Sequence, residues 1–172
     1  MSAPYYSEVL VIGAGSAGLT LALRLADQYS VSILAKGPLN EGSSLYAQGG
    51  VAAVLNDEED SFESLVQDTL NAGAGLCHED TVRFTVEHGP EAVRWLMSAG
   101  VSFSCQVGDD GNKSLHLTRE GGHSFRRVIH AADATGQAIE TTLLDLAKNH
   151  PNINLHEHQI AVDPVSYTHL RA

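Results

Sequence analysis

Gly13, Ala14, Gly15, Ser16, Ala17 and Gly18 read G-A-G-S-A-G, directly after the apolar run E-V-L-V-I at residues 8–12. Beyond them Leu19, Ala22, Leu23, Leu25 and Ala26 recur at helical spacing, and a second apolar run occupies residues 31–34. Strand, glycine turn, helix and strand make a βαβ unit. In such a unit the first glycine allows a tight turn and the second lets the backbone approach a pyrophosphate. The third lets the helix lie close to the sheet, with its N-terminal N–H groups facing the phosphates. The expected chemistry is dinucleotide binding, with a purely structural glycine turn as the alternative. The run at residues 8–12 does not alternate, which predicts a strand covered on both faces of a parallel sheet.

A nicotinamide site would place a carboxylate about twenty residues further on, at the end of the second strand, to bind ribose hydroxyls. Ala35 and Lys36 stand there instead, which disfavours a nicotinamide dehydrogenase. Lys36 either approaches the phosphates or is an ordinary exposed lysine. Then comes G-S-S-L-Y-A-Q-G-G-V-A-A at residues 42–53, rich in small side chains and with two adjacent glycines. Such a stretch lets the main chain pass against a flat ring and aim N–H groups at its polar edge, while Ser43 and Ser44 offer hydroxyls. It reads as a second ligand-facing loop.

Among 172 residues the formal net charge is −11, which argues against nucleic acid or an anionic membrane as a partner. The one basic cluster is Arg119, Arg126 and Arg127; it suits a small anion or a pyrophosphate, or is simply a set of solvated loop charges. Cys77 and Cys105 are isolated, without metal-ligand or C-x-x-C spacing, and read as free thiols of a cytoplasmic protein. The start Met1-Ser2-Ala3-Pro4 lacks a basic region leading into an apolar one, so no secretory leader is expected; no apolar run is long enough to span a bilayer, and no metal site is expected.

The remaining elements are the scaffold. Ser61 caps a helix with Phe62, Leu65, Val66, Thr69 and Leu70 as its stripe and Gly73 as its stop. Two further helices are expected, one from Asp80 towards His88 and one opening at Pro90 and ending before Gly100. Residues 101–107 and 114–118 flank the turn at residues 109–112 as a hairpin. Residues 137–148 form a helix with Ile139, Leu143, Leu146 and Ala147 inward, and residues 153–162 a strand.

Three strings now stand together: G-A-G-S-A-G; K-G-P-x-x-E-G-S-S-x-Y-A-Q-G-G-V-A-A; and H-L-T-R-E-G-G-H-S-F-R-R-V-I-H-A-A-D-A-T-G. The sequence resembles the fumarate reductase, succinate dehydrogenase and L-aspartate oxidase flavoproteins, from about residue 8 to residue 163, and the third string is similar to the aspartate oxidases among them. The resemblance implies an α/β, Rossmann-like FAD-binding domain with a glutathione-reductase-type βαβ start, truncated before the capping domain. Residues 1–163 would be its N-terminal part. Residues 164–172 depart from the pattern, as a truncated or non-native end would.

Carried over by position, the resemblance implies that Gly13, Ala14, Gly15, Ser16, Ala17, Gly18 and Lys36 line the adenosine and pyrophosphate end of FAD. Ser43, Ser44, Leu45, Tyr46, Ala47, Gln48, Gly49 and Gly50 would face the pyrophosphate and isoalloxazine, and the main chain at Ile160 and Ala161 the adenine. Residues 38–49 contain no histidine, so the covalent link of the membrane-bound relatives is not expected and FAD should be non-covalent. Glu120 would meet the substrate's amino group, for which an anionic acceptor is suited. Arg119, Arg126 and Arg127 could hold a dicarboxylate or be surface arginines, and His123 and His130 read as structural.

The implied activity is FAD-dependent oxidation of L-aspartate to iminoaspartate with O2 or fumarate as acceptor, the first step of NAD biosynthesis, with hand-off to quinolinate synthase. The family's catalytic arginine lies in segments this chain lacks, so no catalytic residue is assigned and the chain alone is expected to be inactive. The alternatives are a soluble fumarate reductase-like flavoprotein and a non-catalytic nucleotide-binding module.

Overall fold

The computed structural model describes residues 5–56, 59–108, 111–132 and 134–163. It divides into two compact units, one of residues up to 45 together with those from 143 onward, the other of residues 46–142. The expected tail at residues 164–172 and the turn residues Asp109 and Asp110 lie outside the described residues.

In the first unit, β1 (Val9–Ile12) leads through the glycine turn into α1 (Ser16–Leu25), which returns the chain to β2 (Val31–Leu34). The strand late in the sequence, Ile153–His156 (β8), joins them in an all-parallel sheet of order β1-β2-β8. Val11, Val31 and Ile33 share one face and are buried there; α1 packs on β1 and β2, with Leu19, Ala22 and Ala26 fully buried at helical spacing. The expected two covered faces for β1 are not found. Leu10 and Ile12 point to the other face and are 56% and 59% exposed. An apolar run without alternation specifies what a strand can bury, whereas among the described residues α1 packs on β1, with Leu10 and Ile12 left exposed, and β2 is the strand that pairs with it. The expected strand at residues 153–162 also shortens. It ends at His156, His158 takes a left-handed φ of +57°, and the chain then runs on past the end of β2, with Gln159 N–H donating to Ala35 O at 2.9 Å and His158 N–H to Gly37 O at 3.3 Å.

The second unit opens with a two-residue strand, β3 (Val51–Ala52), before α2 (Phe62–Gly73). Ser61 caps α2 as expected, its hydroxyl accepting from Ser64 N–H at 3.1 Å. Leu65 and Val66 of α2 pack with Val54, Val86, Leu70 and Val82. The helix ends at Gly73 as expected, with the left-handed positions following at Ala74 (φ +48°) and Gly75 (φ +88°), and Cys77 Sγ lies over Gly73 where a Cβ would displace it.

The two helices expected between residues 80 and 97 are one, α3 (Glu79–Ser98), continuous through Pro90. An interior proline costs about 3 kcal/mol in a helix. Burial of Val86, Pro90 and Val93 on one face offsets it. β4 (Cys105–Val107) and β5 (Lys113–Leu115) form the expected antiparallel hairpin, but the second arm breaks at His116. The chain resumes as β6 (Leu117–Thr118), which pairs with β7 (Val128–Ile129), itself paired with β3.

α4 (Thr135–Asn149) begins in this unit, and the division between the two units falls within it. Its inward stripe runs through Ile139, Glu140, Leu143, Leu144 and Ala147; Leu146, expected inside, is 40% exposed. Positions i, i+1, i+4, i+5 and i+8 keep one face of a 3.6-residue period, and Leu146 falls outside it.

Candidate functional site

The glycine turn follows from its backbone. Gly13 sits at φ +114°, a conformation side chains resist, and its N–H donates to Leu34 O at 2.8 Å, tying the ends of β1 and β2. Gly18 faces Val11 and the carbonyl of Gly13 so closely that a Cβ would overlap that oxygen, which is the close helix-to-strand approach expected of the third glycine. Gly15 caps α1, whose first turn carries no acidic residue, leaving the positive end of the helix dipole uncompensated by charge.

A groove of about 480 Å³ lies over this turn, within the range of ligand pockets. It is lined by residues 12–15, 34–38, 41–44 and 159–161. Gly13, Ala14, Gly15, Lys36, Ser43, Ser44, Ile160 and Ala161, all singled out in the sequence, thus converge on one surface of the first unit. Ser16 and Ala17 form the first turn of α1, and Ser16 N–H donates to Ser44 Oγ at 3.3 Å, joining the two glycine-containing loops. The groove fits a diphosphate: it combines a helix N-terminus, close-approaching backbone and the cation of Lys36.

Leu45, Tyr46, Ala47, Gln48, Gly49 and Gly50 are not among the groove's lining residues. Tyr46, Ala47, Gln48 and Gly49 are exposed at the start of the second unit, where Ala47 O accepts from Gly136 N–H at 2.9 Å. Gly50 lies against β7, where a Cβ would overlap Ile129 O and Val128 Cγ1. Sequence reasoning missed Glu41 and Gln159, which also line the groove. Glu41 is an acceptor in the loop after β2, so a search for a ribose carboxylate confined to the strand end passes over it.

The basic cluster belongs to the second unit, on the loop joining β6 to β7, beside a wider hollow of about 740 Å³. Arg119 and Arg126 line that hollow, whereas Glu120 is exposed in a turn closed by His123 N–H donating to Glu120 O at 3.2 Å. Arg127 is different. It is 1% exposed, and its guanidinium pairs with Asp60 at 2.7 Å and Asp68 at 3.0 Å and donates to Ser64 Oγ at 3.0 Å. One guanidinium thus faces two carboxylates, and although Arg127 also borders the hollow, this pairing makes it an internal anchor of the loop.

Burial opposes the charge on Asp68, but hydrogen bonds from the Ser124 hydroxyl and amide and the nearby Arg127 and His123 hold its carboxyl below the ordinary value. His123 contributes to the lining of an apolar hollow beside α2 and α3. His130 Nε2 lies 2.8 Å from His116 Nδ1, one nitrogen donating and the other accepting. Among the described residues there is no group of three or more metal-ligating side chains, and no helix is long and apolar enough to cross a membrane.

Residues 8–165 match the model of a family described as an FAD binding domain. An L-aspartate oxidase from Yersinia pestis is 53% identical over 165 residues, which cover 96% of this chain and 31% of that protein. Another from Vibrio cholerae is 56% identical over 160 residues, 92% of this chain and 30% of that one. The chain thus spans about a third of the length of these curated relatives. A quinol fumarate reductase of E. coli, solved as a variant, is similar over 90% of this chain and 26% of its own, with a TM-score of 0.80 and 31% identity.

Proposed function

The chain belongs to the FAD-binding domain family, whose cofactor is FAD, and from that premise we propose that it is the flavin-binding front segment of an L-aspartate oxidase. One observation carries the cofactor site: residues 13–15, 36, 43–44 and 160–161, far apart in sequence, line a single groove. In this reading the N–H groups opening α1 and the Lys36 ammonium stabilise the pyrophosphate, Glu41 accepts from ribose hydroxyls, and the main chain at Ile160 and Ala161 meets the adenine. The stretch from Ser43 to Gly50 continues towards the isoalloxazine, held non-covalently. Lys36 is preferable to a carboxylate at the phosphates on charge alone.

When bound, FAD supplies the acceptor for a hydride from Cα of L-aspartate, giving iminoaspartate, with O2 or fumarate as final oxidant. Glu120 receives the substrate's ammonium and sets its orientation. The cytoplasm, where Cys77 and Cys105 remain free thiols, and delivery of product to quinolinate synthase belong to the same reading.

The E. coli structural likeness supports a second reading, a fumarate reductase-like flavoprotein. The test is a visible-spectrum titration with FAD, followed by anaerobic addition of L-aspartate or succinate to the polypeptide extended to its relatives' length. Bleaching by L-aspartate with peroxide on re-aeration is expected; bleaching by succinate alone reverses the ranking. The 172-residue chain is expected to show no turnover, and measurable aspartate oxidation by it would overturn that part.

A further inference from the structure

The loop from Arg119 to Arg127 leaves β6 and re-enters β7, and its base is closed by the Thr118–Val128 pairing and by Arg127 N–H donating to Thr118 O at 3.2 Å. Between those ends residues 119–122 and 124–126 are exposed. An exposed loop of this length gains little from packing, and fixing each residue's backbone costs about 1–2 kcal/mol. One carboxylate from another element supplies a fastening. Asp68, on α2, accepts from Ser124 N–H at 2.7 Å and Ser124 O–H at 2.7 Å, and from Arg127 Nη1 at 3.0 Å, so both its oxygens are used.

α2 is itself packed on α3 through the buried Leu65 and Val66. On the loop, the residue after His123 is Ser124, and His123 N–H closes the turn onto Glu120 O. A shift of Ser124 therefore moves the turn on which Glu120 is carried.

We propose that Asp68 is a positioning residue, fixing through Ser124 and Arg127 the loop that presents Glu120 to the substrate's amino group. The inference rests on the reading of Glu120 given above, and adds a residue 52 positions away in the chain to the machinery that binds substrate. Because Glu120 is assigned to binding, losing the fastening should act on KM and leave kcat nearly unchanged.

The experiment uses the flavin-loaded polypeptide at its relatives' length, in the parent, Asp68→Asn, Ser124→Ala and Ser124→Thr forms. Ser124→Ala leaves both Arg127 ion pairs in place, so it reports on the loop even if Asp68→Asn destabilises the fold. The expected result is a KM for L-aspartate raised about tenfold in Asp68→Asn and Ser124→Ala, the order of one lost charge-assisted contact, with kcat within about twofold. Ser124→Thr, which keeps hydroxyl and amide, should restore KM. Amide hydrogen exchange at residues 120–125 should quicken in the first two variants and not in the third. Unchanged exchange, or quickened exchange with an unaltered KM in an active parent, would overturn the proposal. If the parent leaves L-aspartate untouched, the aspartate reading falls, while exchange alone still decides whether Asp68 fixes the loop.

Discussion

The groove over the glycine turn of the first unit and the Arg119–Arg127 loop of the second solve opposite problems with opposite materials. The groove is made of main chain and small side chains: Gly13 at positive φ, Gly18 against a carbonyl, Ala35 bonded through both its N–H and its C=O. Its glycine turn is set by consecutive residues, and what it offers a ligand there is main-chain N–H groups. The loop is held by side chains, through a buried guanidinium, two carboxylates and two hydroxyls. A backbone-built site fails by steric overlap, whereas one built from side chains fails by leaving charge unpaired.

Substitution should separate the two modes of failure, and Gly18→Ala carries the largest expected effect. Its methyl group would overlap Gly13 O, so α1 must move off the sheet, and both FAD binding and cooperative unfolding should be lost in a spectral titration and a denaturant melt. Retained FAD affinity would show that the groove tolerates what its geometry forbids.

Next is Arg127→Ala, which leaves Asp60 and Asp68 buried without their cation; a loss of about 3–5 kcal/mol in chemical unfolding is expected. The same network has a pH signature. The Asp68 carboxyl lies below its ordinary value in the folded chain, so its contribution is complete above about pH 4 and is lost as pH falls through the folded value. The acid limb of the stability curve should therefore be shallower in Asp68→Asn than in the parent, and parallel limbs would count against the assignment.

Ser44→Ala removes one acceptor from Ser16 N–H at the head of α1, for which about 1 kcal/mol and a modest rise in the FAD dissociation constant are expected. The smallest effect belongs to Arg83→Ala. Arg83 bonds Glu63 and Glu79 on the surface, and its hydrogen bond holds the Glu63 carboxyl below the ordinary value, yet water screens the pair; the melting midpoint should not move measurably.

The same contrast explains what could be read in advance. Gly13, Gly15 and Gly18 announce the groove because a tight turn and a close approach are written in consecutive residues, with the flanking strand and helix supplying context. The partners of Arg127 lie 59 and 67 positions away, and no local pattern says that Asp60 and Asp68 will face it. Distance in sequence also hid the role of Gly50, whose constraint comes from Val128 and Ile129. Pro90 misled for a further reason. Local propensity ends a helix there, and the buried side chains on either side of it override propensity. The strand from residue 153 is shorter than the sequence predicts, ending at residue 156, because the local pattern does not record where its neighbour stops, and β2 stops at Leu34.

The open flank of β1 bears on how the polypeptide behaves in bulk. Leu10 and Ile12 form a small greasy ribbon on a strand that, among the described residues, pairs on one side with β2, the kind of margin on which further strands assemble. Polar replacements at those two aliphatic positions are expected to lengthen colloidal lifetime at high concentration with little change in thermal resistance, since neither side chain belongs to the buried interior.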